Sequence, residues 1–597
     1  WKSLWHAIPL DLSMSGYLIA VPVLLWFAGV LAGSARYPVF VCSISVLHII
    51  LIAAMVLVFG SNIFIYEEWH TVVNKRALYY ASTPRALADS MSLPFKFVAI
   101  GLYFGLFWMM WRLYKWITGA PIFPPKVSRK AFLAFPILAG LIFLGIRGGL
   151  GVIPINESEV YYSPHLFDNH AATNTAWSLI HNIIETTHST ENHYRFADDK
   201  AAKMDVSALM GKNVGDGASI YDWRENADSG RLNVVFIIME SMTAQVIEEL
   251  GGEPGVCPNL SHLMREGVLF DNVYGSGYRT DQGIISVLAG YPAQPDQSIV
   301  LLPEKAAKLN SMSKTLGAEG YSTLFLYGGE LTFANIGVWL TNQRFGKILS
   351  EKDFTPEDKT QRWGVDDDRV LQRSILEMNR LKQPFFTTVM TLSLHPPYDV
   401  PFQSKWQGLN DREKFLNSAA FADDAIGKFF NAAAQQPWYD HTLFVLVADH
   451  GVSPPNFYGL DNPKSRHIPM VMVGKPLPEK WRNKRVSAFG NHHDIAATVL
   501  NTIGLENKKK DFPWSRDLWW REGMTKGNLN QPADSLYEGG FAYYTNESGI
   551  GWVNRQGKGF YSFGNKDWYF WEGALDSLSR TQAKAYLQVF YDDYLQK

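Results

Sequence analysis

The chain has 597 residues, 47% hydrophobic and 14% aromatic, with a formal net charge of −2; this length exceeds one ordinary domain and predicts at least two. The mean hydropathy of −0.09 conceals a division, because residues 1–152 carry 12 Lys/Arg against 4 Asp/Glu and residues 153–597 carry 43 against 53. Neither part is basic enough for a nucleic-acid partner, and two cysteines, Cys42 in an apolar run and Cys257 alone further on, give no disulfide framework.

Apolar runs at 12–33, 38–65, 93–117 and 130–150 are long enough to cross a hydrocarbon core of about 30 Å, which takes roughly 20 helical residues. Buried core helices would show the same periodicity, but four runs almost without charge favour a membrane domain over 1–152. The connection between the third and fourth runs holds Arg112, Lys115, Lys126, Arg129 and Lys130 and no acid, whereas 66–92 balances Glu67, Glu68 and Asp89 against Lys75, Arg76 and Arg85. The positive-inside rule makes the former cytoplasmic and places 153–597 outside. Four spans then leave residue 1 outside as well, so a further helix ahead of Trp1 is expected, giving five spans; no cleavable signal peptide is visible. Arg147, at the outer end of the fourth run, reads as a snorkelling arginine in preference to one meeting a lipid phosphate.

Residues 153–228 read as a juxtamembrane connector. The stretch 171–187 has helical spacing with Trp177, Ile180 and Ile184 on one face, expected near the headgroups. From Asp198 to Asp228 the chain is polar and glycine-containing, which suits a linker.

Over 229–520 the pattern is strand, loop, helix, repeated. Apolar runs NVVFIIM, STLFLY, PFFTTVMTLSL, TLFVLVAD and IPMVMVG alternate with helical segments such as FLNSAAFADDAIGKFFNAAA and HHDIAATVLNTIGL. This predicts an α/β domain with a mainly parallel central sheet covered by helices. Polar residues cluster just past strand ends: Glu240, Tyr327 to Glu330, His395 and Asp449-His450. In open α/β sheets that edge is where ligands bind. An isolated Asp-His-Gly is more often a tight turn, but paired with a second strand-terminal carboxylate it becomes a candidate for a divalent cation such as Zn²⁺ or Mn²⁺, through carboxylate oxygens and an imidazole nitrogen. His395, in a proline-held loop, is either structural or substrate-facing.

A nucleophile is expected in the glycine-rich loop 274–283, where Thr280 stands at the start of an apolar helix. Simple N-capping by Thr280 or Asp281 is the structural alternative. In the catalytic reading a metal lowers the hydroxyl pKa, while free N–H groups and Arg279 receive an anionic oxygen at phosphorus. Residues 521–597 predict a small antiparallel sheet whose aromatics are core in preference to a carbohydrate platform. A final helix follows, with Ala585, Leu587, Val589, Phe590 and Tyr594 available for docking.

Glu240 in IMES, Thr280 in RTDQG, His395 in LSLHPPY and Asp449-His450 in VADHG together resemble the ordered motifs of lipoteichoic acid synthases, membrane phosphoglycerol transferases of the alkaline phosphatase/sulfatase superfamily. NSAAFADDAIG, Trp363-Gly364 and Asp494 to Thr498 agree. The resemblance covers nearly the whole chain, multi-span N-terminus included. It implies one divalent metal, often manganese, on Glu240, Thr280, Asp449 and His450. It also implies a covalent phosphothreonine on Thr280, formed from a phospholipid donor and passed to an envelope glycan, glycolipid or polymer, at a bacterial inner (cytoplasmic) membrane with the catalytic domain outside. The Cys/Ser-x-Pro-x-Arg signature of sulfatases is absent over Tyr278 to Gln282, which disfavours sulfate ester hydrolysis.

The chain departs from the pattern at Tyr327, Ala334 and Ile336, which stand where the synthases place a His, a Trp and an Arg around the glycerol phosphate. Tyr327 and Glu330 therefore belong to an altered headgroup pocket. His467 in RHIP resembles the phosphate-binding histidine of lipid A phosphoethanolamine transferases, with a buried structural histidine as the alternative. Phosphoglycerol transfer is the expectation, with phosphoethanolamine transfer and a non-catalytic lipid sensor as rivals.

Overall fold

The computed structural model describes residues 1–33, 36–69, 72–73, 93–119, 130–151, 153–163, 166–185, 191–211, 217–219, 231–295, 297–401, 405–408, 410–522 and 540–597. They fall into two compact units, Trp1–Ser189 and Thr190–Lys597.

In the first unit the apolar runs form helices α1 (Lys2–Ala32), α2 (Tyr37–Trp69), α3 (Leu93–Thr118) and α4 (Lys130–Arg147). Among the described residues, three helices are long and apolar enough to cross a membrane, within α1, α2 and α3. Helix α4 has 18 residues, a rise of about 27 Å, and its described apolar part is Ala134–Arg147. Gly148 and Gly149, both at positive φ, end it. Arg147 turns back onto the carbonyls of Gly149 (3.0 Å) and Gly151 (2.5 Å). The expected 171–187 helix runs as α5 (Thr175–Glu185). Trp177 is buried against Leu10 and Met14 of α1, its indole N–H donating to Ser13 Oγ at 3.0 Å. Of the segments from which orientation was read, 74–92 and 120–129 lie outside the described residues.

The second unit is built on an eight-stranded sheet. Its strands are β1 (Asn233–Met239), β2 (Val268–Phe270), β3 (Ser322–Tyr327), β4 (Lys347–Leu349), β5 (Phe385–Met390), β6 (Thr442–Ala448), β7 (Met470–Val473) and β8 (Lys484–Val486). The order is β8-β2-β7-β6-β1-β5-β3-β4. All neighbours are parallel except β7, which is antiparallel to β2 and β6. All five apolar runs read from the sequence are strands of this sheet; the three added ones are three residues each, too short for a periodic signal. Central strands β1 and β6 are buried along their whole length, as a sheet covered on both faces requires. Helices α6 (Thr280–Ala289), α7 (Asp411–Ala433) and α8 (Ile495–Thr502) flank it. Asp423 of α7 accepts the N–H groups of Asn259 and Leu260 at the start of the helix Pro258–Glu266.

The stretch read as a linker contains a helix, Asp199–Gly211. Ala202 and Val206 give it an apolar face, which packs on the C-terminal helix α9 (Ser577–Gln596). Gln588 of α9 receives the N–H groups of Phe196 (2.8 Å) and Ala197 (3.1 Å). Within α9, Ala585, Leu587, Phe590 and Tyr594 are buried and Val589 partly so. The C-terminal sheet is an antiparallel meander, β9 (Ala542–Asn546), β10 (Gly549–Asn554), β11 (Gly557–Ser562) and β12 (Asp567–Gly573). Its first strands supply core aromatics as expected, but on the edge strand β12 Tyr569, Phe570 and Trp571 are 45%, 38% and 42% exposed. An edge strand has a neighbour on one side only, so those rings are left at the surface.

Candidate active site

The site follows from register. β1 pairs with β6 so that Met239 lies opposite Ala448, and the next residues, Glu240 and Asp449, therefore leave the sheet side by side. β5 pairs on the other side, Ile238 opposite Met390, bringing the Thr391 hydroxyl oxygen to accept the Glu240 N–H at 2.9 Å. Ser241 makes the turn in the left-handed region, φ 53. That conformation is costly for a residue with a Cβ and is held by two bonds. The Ser241 N–H donates to Asp449 Oδ1 (2.9 Å) and its hydroxyl to Glu240 Oε1 (2.7 Å). Nothing in the sequence pattern marks Ser241 or Thr391, since a polar residue after a strand is unremarkable.

Helix α6 delivers the third part. It is buried throughout, and Gly283 lets it approach β6: a Cβ there would meet the Asp449 carbonyl oxygen at 2.2 Å. Thr280, 6% exposed, donates its hydroxyl to Glu240 Oε2 at 3.1 Å. The N-cap is Arg279, without a side-chain cap bond, so Thr280 serves the carboxylate and not the helix end.

Glu240, Asp449 and His450 are all buried, with ligand atoms within 4.8 Å of one another. His450 Nδ1 lies 3.1 Å from the Gly451 carbonyl. That contact makes Nδ1 the donor and leaves Nε2 facing the acids, 3.6 Å from Glu240 and 3.5 Å from Asp449. Asp449 Oδ2 is buried without a hydrogen-bond partner, an expensive state for a carboxylate oxygen. Burial alone raises the Glu240 carboxyl, but its bond and charge interaction with His450 outweigh this and hold it low. Asp449 is pushed up by burial and by the Glu240 charge. Burial opposes charging His450, yet the two acids raise it to about 9. Two buried carboxylates, one imidazole and an unsatisfied oxygen fit a divalent cation, which supplies the positive charge that the protonated His450 otherwise brings.

The remaining candidates have the following partners. Tyr327 ends β3, opposite Met390; burial, then the Glu240 and Asp449 charges, raise its hydroxyl pKa well above normal. His395 is half-buried on the loop after β5, its ring 4.2 Å from that of Trp363 and Nδ1 3.1 Å from the Pro396 carbonyl; its charge adds to those holding Glu240 down. Arg279 is turned to Asp281 (3.7 Å) and to the Tyr278 ring. Glu330 accepts the Thr332 hydroxyl at 2.5 Å. His467 stacks on Tyr274 and its Nε2 lies 2.8 Å from the Asp271 carbonyl; burial lowers its pKa to about 4. Ile336 is 1% exposed, inside the core.

A mostly parallel α/β sheet with acids and a hydroxyl gathered at its C-terminal edge offers a group that could hold a divalent cation, and residues 232–505 match the sulfatase family. Residues 232–505 thus form a sulfatase-family domain, in a chain distantly related to lipoteichoic acid synthases and phosphoglycerol transferase I. It is 22% identical over 382 residues to a lipoteichoic acid synthase-like protein of Bacillus subtilis, covering 59% of this chain and 60% of that protein. With lipoteichoic acid synthase 2 of the same organism it shares 24% over 315 residues, 48% of each. The match to phosphoglycerol transferase I of Shigella flexneri is 23% over 298 residues, 46% of this chain and 38% of that protein. The alignments thus span from 38% to 60% of these relatives' lengths. A Vibrio parahaemolyticus protein in the alkaline phosphatase superfamily superposes with a TM-score of 0.56 at 26% identity, covering 68% of this chain and 98% of that one. A lipoteichoic acid synthase from Listeria monocytogenes gives 0.52 at 15%, covering 66% and 98%, and supports the fold.

Proposed function

We propose that the protein transfers a phospholipid headgroup, phosphoglycerol in the first instance, through a covalent phosphothreonine to an extracytoplasmic acceptor. The observation that carries this reading is the Thr280 hydroxyl, 3.1 Å from Glu240, at the mouth of a buried group able to hold a cation. Glu240, Asp449 and His450, with Thr280, would hold that ion, Mn²⁺ or Zn²⁺, which when bound supplies electrophilic stabilisation of an alkoxide and of phosphate oxygens. Glu240 orients the Thr280 oxygen by accepting its hydrogen. Thr280 passes its proton to Glu240 and attacks phosphorus as the bond to diacylglycerol breaks, and His395 protonates the departing oxygen. An acceptor hydroxyl then gives its proton to His395 and forms its own bond to phosphorus, and the released Thr280 takes its proton back from Glu240. Tyr327, Arg279 and Glu330 line the approach, whereas His467, committed to Tyr274 and Asp271, has a structural part.

The names of the relatives support phosphoglycerol. One observation favours phosphoethanolamine: Ile336 is buried in the core, so the stretch 327–336 presents no arginine to a glycerol phosphate. The test is incubation of the purified full chain with phosphatidylglycerol or phosphatidylethanolamine, with the mass of the adduct on Thr280 as readout. Thr280→Ala should abolish both the adduct and diacylglycerol release. Full release by Thr280→Ala sinks the proposal, and a purified protein without bound metal would favour the non-catalytic sensor.

A further inference from the structure

The loop that follows the metal-ligand candidates is built unlike an ordinary surface loop. It runs from Gly451 to Arg466, between His450 and β7. At its tip Phe457 is 58% exposed and Leu460 38%, and Phe457 has φ 56. A left-handed phenylalanine is a strained conformation, and the residue nevertheless stays more than half exposed.

The backbone beneath is firmly held. The buried Arg466 guanidinium donates twice to the Leu460 carbonyl (3.1 and 2.7 Å). The Ser465 hydroxyl reaches the carbonyls of Gly459 (2.9 Å) and Asn462 (2.8 Å), and the Tyr544 hydroxyl reaches that of Asp461 (2.7 Å). A loop this constrained presents Phe457 outward as a fixed feature. Single exposed apolar residues are common, so the setting decides. Beside the tip, Lys464 Nζ sits 5.1 Å from the centroid of the Tyr458 ring. On β12 the Glu572 carboxylate pairs with Lys558 (2.8 Å), and the same strand exposes Tyr569 and Trp571. An apolar tip with a tyrosine and a lysine beside it has the composition of a protein surface at the membrane–water boundary. The chain also carries helices long enough to span a membrane.

We propose that the Phe457–Leu460 loop is an interfacial docking element: Phe457 and Leu460 enter the acyl region of a phospholipid bilayer, with Tyr458 and Lys464 at headgroup depth. This rests on the reading that the donor is a phospholipid. A scissile phosphate lies at headgroup depth, and a rigid loop continuous with His450 fixes how far the candidate nucleophile stands above it.

The test uses the full chain in nanodiscs of phosphatidylglycerol and phosphatidylcholine, in a Cys42→Ser background where Cys257 is buried. Phe457→Cys or Leu460→Cys carries an environment-sensitive fluorophore, with Lys382→Cys, exposed ahead of β5, as the reference. Lipids bearing a nitroxide high on the acyl chain should quench the label at 457 and at 460 severalfold more than at 382, with a blue shift. Equal quenching at all three positions overturns the proposal and leaves a protein as the occupant of the loop. A second arm measures the ratio of turnover on bilayer lipid to turnover on monomeric dihexanoyl lipid, which should fall at least tenfold in Phe457→Asp/Leu460→Asp; an unchanged ratio also overturns it. Absence of turnover on any lipid by the parent chain refutes the enzymatic reading and leaves the quenching result to decide the docking.

Discussion

Gly283→Ala sets two effects of opposite sign against each other. Replacing glycine by alanine inside a helix ordinarily stabilises by about 0.5–1 kcal/mol. At this position the added methyl would lie 2.2 Å from the Asp449 carbonyl oxygen, 2.6 Å from its carbon and 2.9 Å from its Cβ. Carbon–oxygen contacts sit near 3.3–3.6 Å, so α6 must retreat by about 1 Å. All three atoms belong to Asp449, at the buried end of β6, and none is a flexible side-chain tip. Overpacking of this kind costs about 1–3 kcal/mol, so the net change is a destabilisation on the order of 1–2 kcal/mol. The functional cost is larger, because the same movement draws Thr280 away from Glu240, and a misplacement of about 1 Å can cost roughly 10²-fold in rate. Thermal unfolding and diacylglycerol release measured on the same preparation separate the two effects. A variant with a raised Tm and parental turnover would refute the packing of α6 on Asp449 and the role given to the Thr280–Glu240 contact.

Chelation should expose the electrostatics of the cluster. His450 is raised to about 9 and Asp449 is raised too, so in metal-free protein the folded state keeps protons that the unfolded chain gives up. Their contribution is therefore present at lower pH and lost as pH rises through about 9. The Tm of chelated protein should fall between neutral pH and about 9 while the metal-loaded protein changes little, and Mn²⁺ affinity, measured by calorimetry, should climb over the same window as those protons are displaced; a flat profile would contradict this. Ser241→Ala removes the bond to Glu240 and should weaken metal affinity about 10- to 100-fold, the usual effect of losing a ligand's supporting partner, with the fold intact by circular dichroism. Asp423→Ala strips the acceptors from the N–H groups of Asn259 and Leu260 and should cost about 2–4 kcal/mol in denaturant unfolding without altering metal affinity.

The sequence by itself determined the elements. Runs such as NVVFIIM and TLFVLVA are too apolar and too short for anything but buried strands, and the abrupt polar residue after each one marked Glu240 and Asp449 before any partner was known. The long uncharged runs likewise marked helices α1 to α4, and among the described residues three of these are of membrane-spanning length. Register remained open, because hydrophobic pattern specifies which face of a strand is buried but not which strand lies beside it. Only the pairing of Met239 with Ala448 sets the two carboxylates side by side, and only the close approach allowed by Gly283 brings Thr280 to them. Ser241 and Thr391, which hold that geometry, carry no periodic signal at all. The edge position of β12 and the rigid exposure of Phe457 were equally invisible, since an aromatic reads as core until the tertiary structure shows on which side it has a neighbour.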